Sequence, residues 1–188
     1  MELTKEDATW AADKLINYFN NFGRIDDYFR TRKLERIRNL PVSLPGMGVE
    51  KDMFTSFDMN PEEMNFDVVL QTDSMFDYDT MLEKTASFSP DQNPGKQVKI
   101  LVIETNTNTV VGFIRLGSPL INSKPRNDYL GGVPDLPIFN KRAIMGFNIV
   151  PIQPFGYNYL GGKLLAAICC SHKIRRLINE KYNNEFCL

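Results

Sequence analysis

Gly161 and Gly162 stand directly before an apolar-periodic run that opens with Lys163, Leu164 and Leu165, and after a β-rich run over 143–150 that Pro151 stops. A helix leaves its first four backbone N–H groups unpaired, and glycines at that point let an anion come close enough to use them. Lys163 adds a cation at the same end. Such a turn can hold a phosphate; the other reading is a tight strand-to-helix turn whose glycines only permit close packing on a sheet. Neither a Walker A loop nor a dinucleotide fingerprint is present.

Other residues offer chemistry in smaller units. Arg126 and Asp128 lie on a long segment, 117–140, where a carboxylate can act as a base and an arginine can hold phosphate or carboxylate, or where the two form an internal ion pair. His172 is the only histidine, and two residues along a helix from Cys170 it points away from that thiol. Cys169, Cys170 and Cys187 make neither a disulfide framework nor a zinc spacing, so no metal is expected. A hydrolase pairing Cys187 or Cys170 with His172 is a third-rank reading. Arg24, Arg30, Arg32, Lys33, Arg36 and Arg38 form one basic cluster, and Lys173, Arg175 and Arg176 another; both suit nucleic-acid phosphates or a solvated helix face.

These groups need elements to hold them. Net charge −1, 43% hydrophobic and 24% charged residues over 188 positions describe a globular domain and exclude collagen, coiled coil and disordered tail. A surface coated all over in nucleic acid is also excluded. No run reaches the roughly 18 to 20 apolar residues of a membrane span, and the acidic N-terminus is unlike a signal peptide, so a cytoplasmic, membrane-free protein is expected. Thr4 with Asp7 predicts a capped helix running to Gly23, with Trp10, Leu15, Ile16 and Phe19 on one face. A second helix over 24–39 is expected to turn Ile25, Tyr28, Phe29, Leu34 and Ile37 inward. Residues 41–65 read as loop with apolar anchors, 66–70 as a strand, 79–86 as a short helix and 89–96 as a turn-rich break. Two β-rich runs, 98–104 and 109–116, joined by Thr105 to Asn108, predict a hairpin. The segment 117–140, rich in proline and glycine, reads as irregular, and 163–182 as one final amphipathic helix.

Taken together, Gly112-Phe113-Ile114-Arg115-Leu116-Gly117, Arg126-Asn127-Asp128-Tyr129-Leu130-Gly131, Asn148-Ile149-Val150-Pro151 and Leu160-Gly161-Gly162-Lys163-Leu164-Leu165 resemble, over 98–188, a GNAT-like family that includes Druantia DruA defence proteins and relatives of the phage Mom DNA-modification enzymes. The resemblance implies one α/β domain over 1–188: a mixed, mainly antiparallel sheet with flanking helices, preceded by the helical pair of 1–40. It also implies that the last strands of the GNAT fold are lacking after a strand start at 185–188, so that a protein partner completes the domain, or the chain is the N-terminal part of a split acyltransferase, or the fold serves in a binding role without them. By the same resemblance an acyl-CoA-like cofactor would lie with its phosphates on Gly161, Gly162 and Lys163 and its acyl group near Val150 and Ile152. Arg126 and Asp128 would face the acceptor, in phage- or defence-related nucleic-acid modification, with nucleic acid held through Arg30, Arg32, Lys33 and Arg36. The alternative is a non-catalytic GNAT-like module that binds a partner protein or DNA.

Overall fold

A computed structural model describes residues 4–40, 53–71, 78–87 and 95–183. They form two compact units, one built on the first two helices, the other holding every strand and the remaining helices. None of the described helices is long and apolar enough to cross a membrane.

In the first unit, α1 (Lys5–Phe22) starts as its sequence predicts: the Asp7 N–H donates to the Thr4 hydroxyl at 3.1 Å, and the Thr4 N–H donates back to the Asp7 carboxylate at 3.0 Å. Gly23, with φ +60°, ends it. In α2 (Ile25–Arg38) the expected inward face is not found. Ile25, Phe29 and Leu34 are exposed, Phe29 at 60%, as is Trp10 of α1 at 66%, while Tyr28 and Ile37 are only half-buried. The reason is geometric. Apolar residues are spread around α2, and a two-helix hairpin has one seam, marked here by the Tyr18 and Tyr28 rings with centroids 4.7 Å apart.

The second unit is a four-stranded antiparallel meander, β1 (Phe66–Leu70), β2 (Gln97–Glu104), β3 (Thr109–Gly117) and β4 (Met145–Pro151), in that spatial order. The mainly antiparallel sheet with flanking helices expected from the sequence is therefore present; the parallel pairing is the isolated bridge Met53–Val110. The β2–β3 hairpin agrees with the sequence to within a residue at each end. Alternation along the strands sends Val98, Ile100, Val102, Ile114 and Leu116 to one face, where they pack with Leu165, Ile174 and Ile178 from α7 (Gly161–Cys169) and α8 (His172–Tyr182). The other face carries Leu101, Phe113 and Ile152 against Tyr78, Met81 and Leu82 of α3 (Tyr78–Thr85).

Two expectations are corrected. The final helix is two helices: Cys170 closes α7, and the Ser171 hydroxyl accepts the Ile174 N–H to start α8 afresh. The long segment between β3 and β4 is not irregular throughout but carries α4 (Lys124–Leu130) and α5 (Leu136–Arg142), each with proline in its first turn, where a missing N–H costs nothing. A further helical turn, α6 (Phe155–Asn158), precedes α7. Residues 89–94 of the turn expected over 89–96, the strand start at 185–188 and Cys187 lie outside the described residues.

Candidate functional site

The β4-to-α7 turn is built by one left-handed residue. Leu160 (φ 54°, ψ 31°) turns its carbonyl along the helix axis, where it accepts the N–H groups of Lys163 at 3.0 Å and Leu164 at 3.3 Å. Two of the four helix-start donors are thereby used, and the N–H groups of Gly161 and Gly162 have no acceptor among the described residues. The glycines differ in what they face. A Cβ on Gly161 would strike the Phe155 ring and approach the Phe155 carbonyl oxygen to 2.8 Å, so this glycine serves close packing. A Cβ on Gly162 would meet only Pro151 Cγ, at 3.9 Å, which leaves its N–H approachable, and Lys163 is exposed beside it.

β4 runs up to this turn as an edge of the sheet. The Ile152 N–H donates to the Val111 carbonyl at 2.9 Å, so antiparallel alternation directs the backbone groups of Ile149 away from β3, to an edge that no described strand pairs with. Val150 and Ile152 turn their side chains into the α3-side core. Tyr159, packed with Phe54 and Phe155, buries a hydroxyl that has no partner among the described residues.

Arg126 and Asp128 do not pair with each other. Arg126 clamps its own loop: its guanidinium donates to the carbonyls of Leu120 (2.5 Å) and Ile121 (3.1 Å) and to Asn127 Oδ1 (2.8 Å), and lies 4.6 Å from the centroid of Phe139 on α5. Asp128 forms an ion pair with Lys124 one turn earlier, at 2.7 Å. Asp128 and Lys124 line an open depression of about 680 Å³ with Asn122, Asn127, Gly131 and Val133. No hydrogen bond or ion pair among the described residues joins this depression to α7.

Among the described residues, Cys169, Cys170 and His172 are not assembled into a catalytic device. Burial, with the neighbouring Cys170 sulfur adding to it, pushes the Cys169 thiol up to about 11, where it stays protonated and poorly nucleophilic. His172 and Cys170 are exposed with no hydrogen bond between them. No cluster of metal-ligating side chains occurs among the described residues. Of the basic residues, Lys173 is held by Asp67 and Arg32 donates to the Tyr28 hydroxyl at 2.9 Å. Arg30 and Arg36 project into solvent.

One set of polar residues escapes the sequence reading. Gln71, Lys99, Arg115 and Asn148 stand side by side across the sheet: Lys99 of β2 pairs with Arg115 of β3, Arg115 with Asn148 of β4, and the Gln71 N–H, just past the end of β1, donates to the Lys99 carbonyl at 2.9 Å. Gln71, Arg115 and Asn148 are buried. A signal was available in Arg115, a charged residue inside the apolar run 110–116.

The family model DruA, described as Druantia protein DruA, matches residues 50–188. No curated protein and no solved structure matches the chain.

Proposed function

The chain belongs to the family of the Druantia protein DruA, and we propose that it is a defence-related acyl-transfer protein that acts on nucleic acid and binds an acyl coenzyme A at the β4-to-α7 turn. The observation that carries this reading is the pair of unengaged N–H groups on Gly161 and Gly162, beside exposed Lys163 and the open edge of β4. The residues fit the cofactor: the approachable Gly162 N–H and the exposed Lys163 cation match a phosphate of the pyrophosphate, with the Gly161 N–H behind them in the buried part of the turn. The edge groups of Ile149, unpaired among the described residues, match the amides of an extended arm. When bound, the cofactor supplies an acyl group activated as a thioester.

Every other part falls to the chain's own side chains. Val150 and Ile152, whose side chains pack into the α3-side core, hold β4 in place beside the arm without touching it, and Ile152, whose N–H is committed to Val111, contributes no donor. Arg126 is a positioning residue that fixes α4 through Leu120 and Ile121. Asp128, exposed in the α4 depression and balanced by Lys124, is the group available to take a proton from an acceptor amine. The cations of α2 hold the nucleic-acid phosphates.

A second reading rests on the same contacts. Because Arg126 is fully used within its loop and Asp128 is tied to Lys124, a non-catalytic module that binds nucleic acid or a protein also suits the depression. Calorimetric titration of the intact chain with acetyl coenzyme A separates the two. The transferase reading expects a saturable heat that Lys163→Glu weakens tenfold or more, since reversing one contacting charge removes upward of about 1.4 kcal/mol. Absence of heat with the wild-type chain overturns it in favour of the module.

A further inference from the structure

A cation sealed into a protein without a counter-charge or acceptor is costly, and native interiors pair such groups. Among the described residues Arg115 has no such partner. It is 2% exposed, points from β3 to the α3 face of the sheet, and has no hydrogen bond and no ion pair among the described residues. The described charges around it do not cancel it. Lys99, the next residue in the row, is paired with Asp79 of α3 at 2.6 Å, so two cations and one carboxylate leave the row one positive charge in excess. Tyr78, whose ring lies over Phe113 with centroids 5.4 Å apart, gives its hydroxyl to the Ile114 carbonyl and supplies no anion, its ionisation being strongly opposed by burial.

The flanking residues share the deficit. Gln71, 6% exposed, leaves both its amide oxygen and its amide nitrogen without a partner among the described residues, and Asn148, 6% exposed, makes no side-chain hydrogen bond among them either. Adjacent strands lie about 4.8 Å apart, so the four side chains form one file across the sheet with the guanidinium inside it. Gln71 thus buries two hydrogen-bonding atoms that nothing in the described chain satisfies, beside an arginine and an asparagine whose side chains form no hydrogen bond with the described residues. Packing alone would favour apolar residues at these positions, as in the rows on either side.

We infer that the Gln71–Lys99–Arg115–Asn148 row is a binding site for an oxyanion, a carboxylate or phosphate group of a small molecule, held by the Arg115 fork and by the side-chain amides of Gln71 and Asn148. The planar guanidinium offers two parallel N–H donors to two oxygens of the group. The row faces α3, on the opposite side of the sheet from α7, so this site does not depend on cofactor binding at Gly161 and Gly162.

Thermal unfolding of the intact chain tests it, with sodium phosphate and sodium acetate each compared with sodium chloride at equal ionic strength and pH. At a hundred times the dissociation constant, linkage raises the midpoint on the order of 5 to 10 °C. The anion that acts at the lower concentration identifies the group as phosphate or carboxylate. Arg115→Met is expected to melt no lower than wild type in chloride, because it removes an uncompensated buried charge, and to lose the Arg115-dependent rise. Arg115→Lys keeps the charge without the fork and retains a reduced rise. Lys163→Glu, which alters the α7 turn, leaves the acetate response unchanged and so separates the two sites. The inference is overturned if wild type responds to neither anion, if Arg115→Met responds as fully as wild type, or if Arg115→Met melts well below wild type in chloride while Arg115→Lys shows no anion response.

Discussion

Glu104 is a carboxylate wholly shielded from water that still ionises more readily than a free glutamate. Burial opposes its charge, but the Thr107 N–H and hydroxyl at 2.8 and 2.7 Å, the Asn106 N–H at 3.1 Å and the Asn65 N–H at 3.2 Å all donate to it and prevail. The carboxylate therefore organises the β2–β3 turn and fastens the chain before β1 to it. Since its folded value lies below the ordinary 4.5, it contributes stability above that value and loses it as pH falls through the lowered one. Glu104→Gln places an NH₂ donor against other donors and is expected to cost about 1–3 kcal/mol at neutral pH. Urea midpoints at pH 7 and below pH 4 check this: the gap between variant and wild type narrows in acid, and an equal gap at both would refute the role. The buried row containing Arg115 is the harder case at this scale. Its residues are 71, 99, 115 and 148, and only the strand register, which no local motif encodes, brings them together.

The β2–β3 hairpin was legible because strand alternation and a polar four-residue connection are local signals, and the capped start of α1 for the same reason. The break between α7 and α8 was not, because an apolar helical period runs through it and the deciding event is one serine hydroxyl capturing one N–H. An inward face on α2 fails because periodicity reports which residues are apolar, not whether a second layer exists to receive them. Gly112 lies between these cases. It is visible as a glycine inside a β run, where it marks a bulge or a close approach. The structure shows both: the β2–β3 register shifts beside it, with Val102 opposite Gly112 and Ile103 opposite Val110, and a Cβ there would collide with Leu165 of α7 and come within 3.0 Å of the Val150 carbonyl oxygen. Gly112→Ala should therefore push α7 off β3 and cost about 1–3 kcal/mol as an overpacked core position. Gly162→Ala, at the more open start of the same helix, should cost well under that. Chemical denaturation of the two variants side by side tests the contrast, and equal losses would show that α7 does not rest on β3 through this contact.

Net charge sets what the whole chain can attract. With 22 basic against 23 acidic residues the protein has no long-range field to draw a polyanion, so any grip on nucleic acid must come from a local excess of cations. α2 holds a dense one, five basic against three acidic residues, which leaves the rest of the chain net negative. Of its acids, Asp27 is engaged by Arg24 just outside the helix at 3.6 Å. Arg30 and Arg36 are exposed on an element with no buried residue, so replacing them costs within about 0.5 kcal/mol each, while Arg32, bonded to the Tyr28 hydroxyl, and half-buried Lys33 cost more, which a melting control on the variant measures. That separation makes the nucleic-acid proposal measurable. For every phosphate that a cation ceases to neutralise, the slope of log affinity against log salt shrinks by about 0.9 for duplex and about 0.7 for single strands. Replacing Arg30, Arg32, Lys33 and Arg36 together by glutamine should therefore flatten the slope by about 3 units, read by fluorescence anisotropy on an oligonucleotide between about 50 and 200 mM salt. An unchanged slope would mean that these cations only solvate α2, and that whatever nucleic acid the protein meets is held elsewhere in the chain.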